Sequence, residues 1–362
     1  MTLSGFDPVL WLSDPDAAIP SRIGPKAATL AKLRQAGLPV PEGFCLTAEA
    51  YQAHLAAAGV EKTAWQVALA DPPEARRLAV AVRLGLLRAS LDSVIEESLM
   101  TAWRRLVAPP DALVAVRSSA LVEDTLATSF AGQFESFLGI ATEADFLTAV
   151  RGCWTSLWST RALRYLRTHQ MDPAGTAMAV LVQRLVEARA AGGALSQTAD
   201  GGLLLTGTWG LGSAVAQGEV VPDRYLLGRD GSLREVEPGR KDRRVTCTPE
   251  AGAVPEAVAA ELIEAPCLSP AQAVELGRLV LTVESLLGTP VEVEWALGTE
   301  GLQILQARPL RVAARQAPDE LGRQHPGLTG QPAGVGWGSG PACVVTREHD
   351  LHRVAIGDVL VT

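Results

Sequence analysis

Four stretches of this 362-residue chain group side chains that could hold a polyanion and a divalent cation. In the first, an apolar run at 113–116 ends in Arg117, Ser118 and Ser119. A guanidinium fixed at a strand end can fork onto phosphate oxygens, which a lysine does less well. In the second, Thr128-Ser129-Phe130-Ala131-Gly132-Gln133, the small residues Ser129, Ala131 and Gly132 let backbone N–H groups approach an anion closely. The third is Lys26, which follows Pro25 in the first turn of a helical pattern. A cation near the positive end of a helix dipole is unfavourable unless an anion lies close by. The fourth is a pair of alternating strands within 290–309, where Glu292 and Glu294 share one face and Gln306 and Arg308 share a face of the returning strand. Two carboxylates suit a hard cation such as Mg2+, and the amide and guanidinium suit phosphate oxygens. Taken singly, each has a plainer reading: a serine-rich surface loop, a solvated helix lysine, a charged hairpin edge.

The elements that must position these groups can be read around them. Residues 19–24 read as a loop, followed by a helix whose apolar face includes Leu30 and Leu33 and which stops at Gly37. Residues 61–106 read as helices that carry no chemistry of their own, and 142–170, with Trp154, Trp158, Arg161 and Tyr165, as a helical stretch with a core and hinge-supporting role. Residues 177–187 begin as an apolar strand and turn polar. The hairpin is predicted to turn at Gly298–Gly301. Beyond Arg308, residues 311–332 are polar and punctuated by Pro318, Pro326 and Pro332, as in a linker.

Bulk composition narrows the classes. Hydrophobic residues make up 48% and charged residues 20%, which suits folded domains rather than disorder. A formal charge of −8 argues against a general nucleic-acid binder but leaves room for a local positive pocket around a small polyanion. The five cysteines form no CxxC pair, so free buried thiols in a reducing compartment are expected, rather than a zinc or redox site. No run approaches 18 apolar residues, and the first residues lack a basic, then apolar, leader pattern. The expectation is a cytoplasmic protein with no membrane segment and no nucleic-acid partner.

The segment Val-Ala-Val-Arg-Ser-Ser-Ala-Leu-Val-Glu-Asp, continuing to Ser-Phe-Ala-Gly-Gln, resembles the nucleotide-binding domain of the pyruvate phosphate dikinase and phosphoenolpyruvate synthase family. Further family-like stretches follow in order. They include Gly24-Pro25-Lys26, Gln183 in its strand, Trp209-Gly210-Leu211-Gly212-Ser213, Pro222-Asp223-Arg224-Tyr225 and Glu292-Val293-Glu294-Trp295 with Gln306-Ala307-Arg308-Pro309. The chain departs from the family pattern at Pro25, which replaces a glycine, and at Ser213, which replaces a glutamate. In the loop at 194–201 the usual proline is missing.

The resemblance implies an α+β, ATP-grasp fold of two subdomains with the nucleotide between them. These are expected at 1–190 and 191–312, followed by a linker at 313–332 and, at 333–362, a partial segment like the family's β-rich swivelling phosphohistidine domain. It implies ATP and Mg2+ as cofactors. By resemblance, Lys26, Arg117 and Arg308 act on the phosphates as catalytic residues, and Ser129 and Gly132 cradle them. Gln183, Leu185 and Glu187 approach the adenosine, Gln306 contacts the nucleotide, and Glu294 ligates the metal with Glu292 as the weaker candidate. The five histidines, His54, His169, His325, His349 and His352, lie outside the family's phosphohistidine context. The expected reaction is therefore a partial one: a dikinase-type phosphotransferase passing a phosphoryl group to a histidine on a partner subunit or another domain. The arrangement resembles the ATP-binding subunit of a phenylphosphate synthase-like or phosphoenolpyruvate synthase-like enzyme. The alternatives are an N-terminal fragment of a longer synthase and a catalytically degenerate, nucleotide-sensing subunit.

Overall fold

The computed structural model describes residues 6–108, 112–123, 134–310, 340–345, 353–355 and 357–361. Ser129, Gly132, His325, His349, His352 and the linker expected at 313–332 lie outside the described residues. Met1–Leu310 and Arg311–Thr362 form separate compact units.

The first part of the larger unit runs β1 (Val9–Trp11), α1 (Pro20–Gln35), β2 (Gly43–Leu46), α2 (Ala48–Ala57), α3 (Glu61–Leu69), α4 (Pro72–Arg88) and α5 (Ser93–Leu106). It continues through β3 (Val114–Ala120), β4 (Ser136–Ile140), α6 (Glu143–Ser156), α7 (Thr160–Thr168) and β5 (Met178–Arg184). Its strands form an antiparallel sheet in the order β1-β2-β5-β3-β4. The apolar run of β5 has no polar face because the strand is central and covered on both sides. The helices begin where short polar side chains can accept the first free N–H groups: Thr47, Asp71, Asp92, Thr142 and Ser159 cap α2, α4, α5, α6 and α7.

The second part runs β6 (Ala190–Leu195), β7 (Leu203–Trp209), α8 (Ser213–Ala216), β8 (Asp223–Leu227) and β9 (Leu233–Glu237). Next come β10 (Arg243–Thr248), β11 (Gly252–Ala257), α9 (Pro270–Leu287), β12 (Val291–Gly298) and β13 (Gly301–Pro309). Its sheet has the order β13-β12-β6-β7-β8-β9, with β10 and β11 as a separate hairpin. Ser269 and Gln272 form a reciprocal capping box on α9, and left-handed Gly288 ends it. In the smaller unit, β14 (Ala342–Val344) and β15 (Val359–Val361) pair in parallel.

Two sheets with their helices make the α+β architecture that the resemblance implies. Strand alternation divides the first sheet between two cores. Phe44, Val116, Val180 and Val182 face the core built with α2–α7. Cys45, Ala179 and Leu181 face a second core that contains α1, α9 and the inner side of the second sheet. The first helix is thus packed in the same core as the last two strands of the unit, and Ile304 donates its N–H to the Pro39 carbonyl at 2.7 Å.

All five cysteines are free. Burial pushes the thiols of Cys153 and Cys267 up to about 12, which leaves them protonated and unreactive. Among the described residues, no helix is long and apolar enough to cross a membrane.

Candidate nucleotide site

The site begins at a break in α1. The sequence predicts a loop up to Gly24; instead, helical turns start at Pro20 and are interrupted only at Gly24 itself, whose φ is 77°. A Cβ there would sit 2.4 Å from the Ser119 carbonyl oxygen, so only glycine lets the helix press this closely on β3. Ser119 repairs the break: its hydroxyl donates to the Ile23 carbonyl at 2.8 Å and accepts from the Ala27 N–H at 3.3 Å. Pro25 opens the continuing turns, where its missing N–H costs little.

Lys26 comes next and turns toward β3. Its ammonium donates to the Ser118 carbonyl at 3.0 Å and meets Glu123 Oε1 at 2.7 Å. Its side chain retains only 9% of its exposure, and that of Glu123 only 5%. The plainer reading of Lys26 as a solvated lysine therefore fails. Glu123 was given no role from the sequence, although it stands in the family-like stretch that runs from Val114 to Asp124.

Arg117 lies in the middle of β3, not at a strand end, because the strand continues through both serines to Ala120. Its guanidinium reaches the second sheet. Nη1 donates to the Leu305 carbonyl at 2.8 Å, and Nη2 to Glu294 Oε2 at 2.9 Å and Gln306 Oε1 at 3.0 Å. The hairpin register pairs Glu294 with Gln306 and Glu292 with Arg308. Arg308 closes on Glu292 Oε2 through Nε at 3.0 Å and Nη2 at 2.8 Å. Arg117, Glu294, Gln306, Arg308 and Glu292 thus gather along one face of the β12–β13 hairpin, and Lys26 lies close enough to lower the Glu294 pKa.

Glu294 keeps half of its side-chain surface open. The surrounding protein pushes its carboxyl up by desolvation, but Arg117, Lys26 and Arg308 outweigh this and hold it below the usual carboxylate range. It remains an anion that can accept a metal. Among the described residues, no group of three or more His, Cys, Asp or Glu side chains could hold a metal ion alone. Two carboxylates with an amide oxygen fit Mg2+ of the kind completed by nucleotide phosphates and water.

The residues expected near the adenosine separate. Gln183 is buried, and its Nε2 donates to the Pro41 carbonyl at 3.3 Å. The Leu185 N–H is engaged by the Leu113 carbonyl at 2.8 Å. Leu185 and Glu187 line a cavity of about 450 Å3 together with Pro39, Arg184, Gly301 and Gln303, beside the connection from β5 to β6. Gln183 does not line it.

The departures from the family pattern have local consequences. Ser213 starts α8, and its hydroxyl is buried with no hydrogen-bond partner among the described residues. In the altered loop, Ser196 is buried and exchanges hydrogen bonds with Val291, so this part acts as a strand tie. Of the described histidines, His54 is buried against Trp154 with Nε2 2.9 Å from the Leu86 carbonyl, and burial lowers its pKa. His169 lies against the Tyr165 ring, with centroids 4.3 Å apart.

Comparison with known proteins places the chain in a family. The sequence profile of the family described as pyruvate phosphate dikinase, AMP/ATP-binding domain, matches residues 20–325. A phosphoenolpyruvate synthase of Aeropyrum pernix is 31% identical, the match covering 98% of this chain and 50% of that protein. A probable phosphoenolpyruvate synthase of Methanothermobacter thermautotrophicus is 32% identical over 94% of this chain and 51% of its own length. The prodigiosin synthesizing transferase PigC of Serratia marcescens is 33% identical over 85% of this chain and 33% of its own length. The chain therefore spans about half the length of the two synthases. With the profile covering every described member of the charged face, the chain belongs to the family of the pyruvate phosphate dikinase AMP/ATP-binding domain.

Proposed function

We propose that this chain is the ATP-handling part of a dikinase-type phosphotransferase, and that it passes a phosphoryl group to a histidine on a partner chain or a further domain. The reading of 1–190 and 191–312 as two lobes around the nucleotide belongs to this proposal. The observation that carries it is Arg117 of the first sheet meeting Glu294 and Gln306 of the second at 2.9 and 3.0 Å, with the Lys26 charge near enough to act on Glu294. A fork-shaped cation, an ammonium and a carboxylate pair placed together are what a metal-bound triphosphate needs.

Glu294, with Glu292 beside it, would hold Mg2+, which when bound supplies charge neutralisation between phosphate oxygens. Arg117 and Arg308, which pair with these carboxylates here, would supply the donors for phosphate oxygens, and Glu294 and Glu292 the negative charge for the metal. Lys26 adds a point charge just past the break in α1. Because these groups are preset by strand and helix backbone, catalysis is mostly positioning and charge stabilisation. By analogy with the family, ATP ends as AMP and phosphate, with one phosphoryl group on the carrier histidine. The acceptor beyond that histidine belongs to parts outside this chain, whether in a phenylphosphate synthase-like or a phosphoenolpyruvate synthase-like enzyme.

A second reading, a nucleotide sensor without turnover, is favoured by Pro25, Ser213 and the altered loop at 194–201. Incubation with ATP labelled at the β-phosphate separates the two. The expected result is label on a histidine-bearing partner only when this chain and Mg2+ are both present. Bound ATP with no label on any competent histidine domain would favour the sensor.

A further inference from the structure

The carboxylate of Glu123 pairs with Lys26 but has no role in the phosphate handling set out above, and it is one of the most enclosed charges among the described residues. We propose that Glu123 is the positioning residue for Lys26, holding its ammonium so that one N–H points at the incoming phosphate; this rests on the nucleotide-site reading. An ammonium has three N–H donors. Among the described residues two are engaged, by the Ser118 carbonyl at 3.0 Å and Glu123 Oε1 at 2.7 Å. Two fixed tethers define the direction of the third.

Glu123 is itself anchored. Its Oε2 accepts the Ala120 N–H at 3.2 Å, and its own N–H bonds the Ala120 carbonyl at 3.0 Å. The carboxylate thus sits in a turn at the end of β3, the strand that also carries Arg117 and the Ser118 carbonyl. Lys26 and Arg117 are thereby referenced to the same strand, although Lys26 belongs to a helix 92 residues away from Ser118. Near a helix start, with little water, the ammonium needs a compensating anion when the nucleotide is absent. Glu123 supplies it without using all of the donors.

The test is a double-mutant cycle read by calorimetric titration of Mg·ATP, with thermal melts as the folding control. Glu123→Gln keeps the shape and an acceptor for Ala120 but removes the charge. It should weaken ATP binding by about tenfold, the size of a lost charged tether. Lys26→Met should weaken it at least as much, and Glu123→Gln in the Lys26→Met background should add less than about twofold, because Glu123 acts through Lys26. Glu123→Asp, which keeps the charge on a shorter arm, should recover binding to within about threefold of wild type. If Glu123→Gln folds poorly, the Lys26→Met/Glu123→Gln pair and Glu123→Asp still decide. A pair much weaker than Lys26→Met alone, or an aspartate variant no better than glutamine, would overturn the inference. Wild-type protein that binds ATP while Glu123→Gln binds equally well would also overturn it, leaving the nucleotide site intact. Wild-type protein that binds no ATP would overturn both.

Discussion

Arg117 makes three contacts across 177 to 189 positions of sequence, all through one planar group. Replacing it by alanine removes donors that are partly solvated, so the stability loss should be modest, about 1–2 kcal/mol by urea denaturation. Phosphoryl transfer to the carrier histidine should fall by at least about a hundredfold, since donors aimed at developing phosphate charge are worth more than that. Arg117→Lys should not restore it, because an ammonium lacks the planar two-pronged geometry that holds Glu294 and Gln306, or two phosphate oxygens, in a fixed orientation. Glu294 carries a pH prediction. Its folded pKa is depressed, so its contribution to stability is fully present above the unfolded glutamate value of about 4.3 and is lost as pH falls through the folded value. The stability difference between wild type and Glu294→Gln should be flat from about pH 8 to 5 and shrink below about pH 4. A difference that grows on acidification would contradict the assigned sign.

At the scale of elements, the broken start of α1 and the pinning of β8 matter most. Gly24→Ala introduces a Cβ 2.4 Å from the Ser119 oxygen at a φ of 77°. It should cost about 2–4 kcal/mol and displace Lys26 with the helix. A Gly24→Ala protein with wild-type stability and ATP affinity would show that the helix start is not held by this contact. On the far side of the second sheet, Asp223 opens β8 and receives the Lys241 ammonium, the Gly239 N–H at 2.8 Å and the Cys267 N–H at 2.7 Å. Asp223 and Lys241 have no exposed side-chain surface. The pair pins the segments before β10 and before α9 to one strand end. Lys241→Met leaves an uncompensated buried carboxylate and should destabilise by about 3–5 kcal/mol. Asp223→Asn together with Lys241→Met should recover part of that loss in the same denaturation assay.

Across the larger unit, the two sheets are not independent folding entities. The second core joins Leu181 of the first sheet and Leu30 of α1 to Val293 and Trp295 of the second sheet. A core shared in this way should melt as one. Native-state hydrogen exchange should therefore give the same opening free energy for the slowest amides of β5 and β12. Two distinct plateaus would show that the sheets unfold separately. The shared core also keeps Arg117 and Glu294 in register, since each stands on a strand whose opposite face is buried.

How much of this was legible in the sequence follows from the range of the interactions. The hairpin of β12 and β13 is local: alternation and a Gly-containing turn place Glu292 opposite Arg308 and Glu294 opposite Gln306 without help from the rest of the chain. The apolar run of β5 and the motif residues in their order were likewise readable, because they are local; the division of 61–106 into α3, α4 and α5, with caps at Asp71 and Asp92, was not. The tertiary structure alone decided the rest. Periodicity cannot show that α1 is pressed on β3, so it placed a loop where helical turns surround Gly24. It ended a strand at Arg117, because it cannot see that Ser118 and Ser119 are paired with β5 on one side and buried on the other. It could not give Lys26 its carboxylate, nor show that the Gln183 amide is spent on Pro41. The sequence by itself determined which charged groups the chain carries and how neighbours along a strand or hairpin share a face. Which distant groups meet was decided by the two cores, because burial of apolar surface, not the polar motif, brings the strands that carry them together.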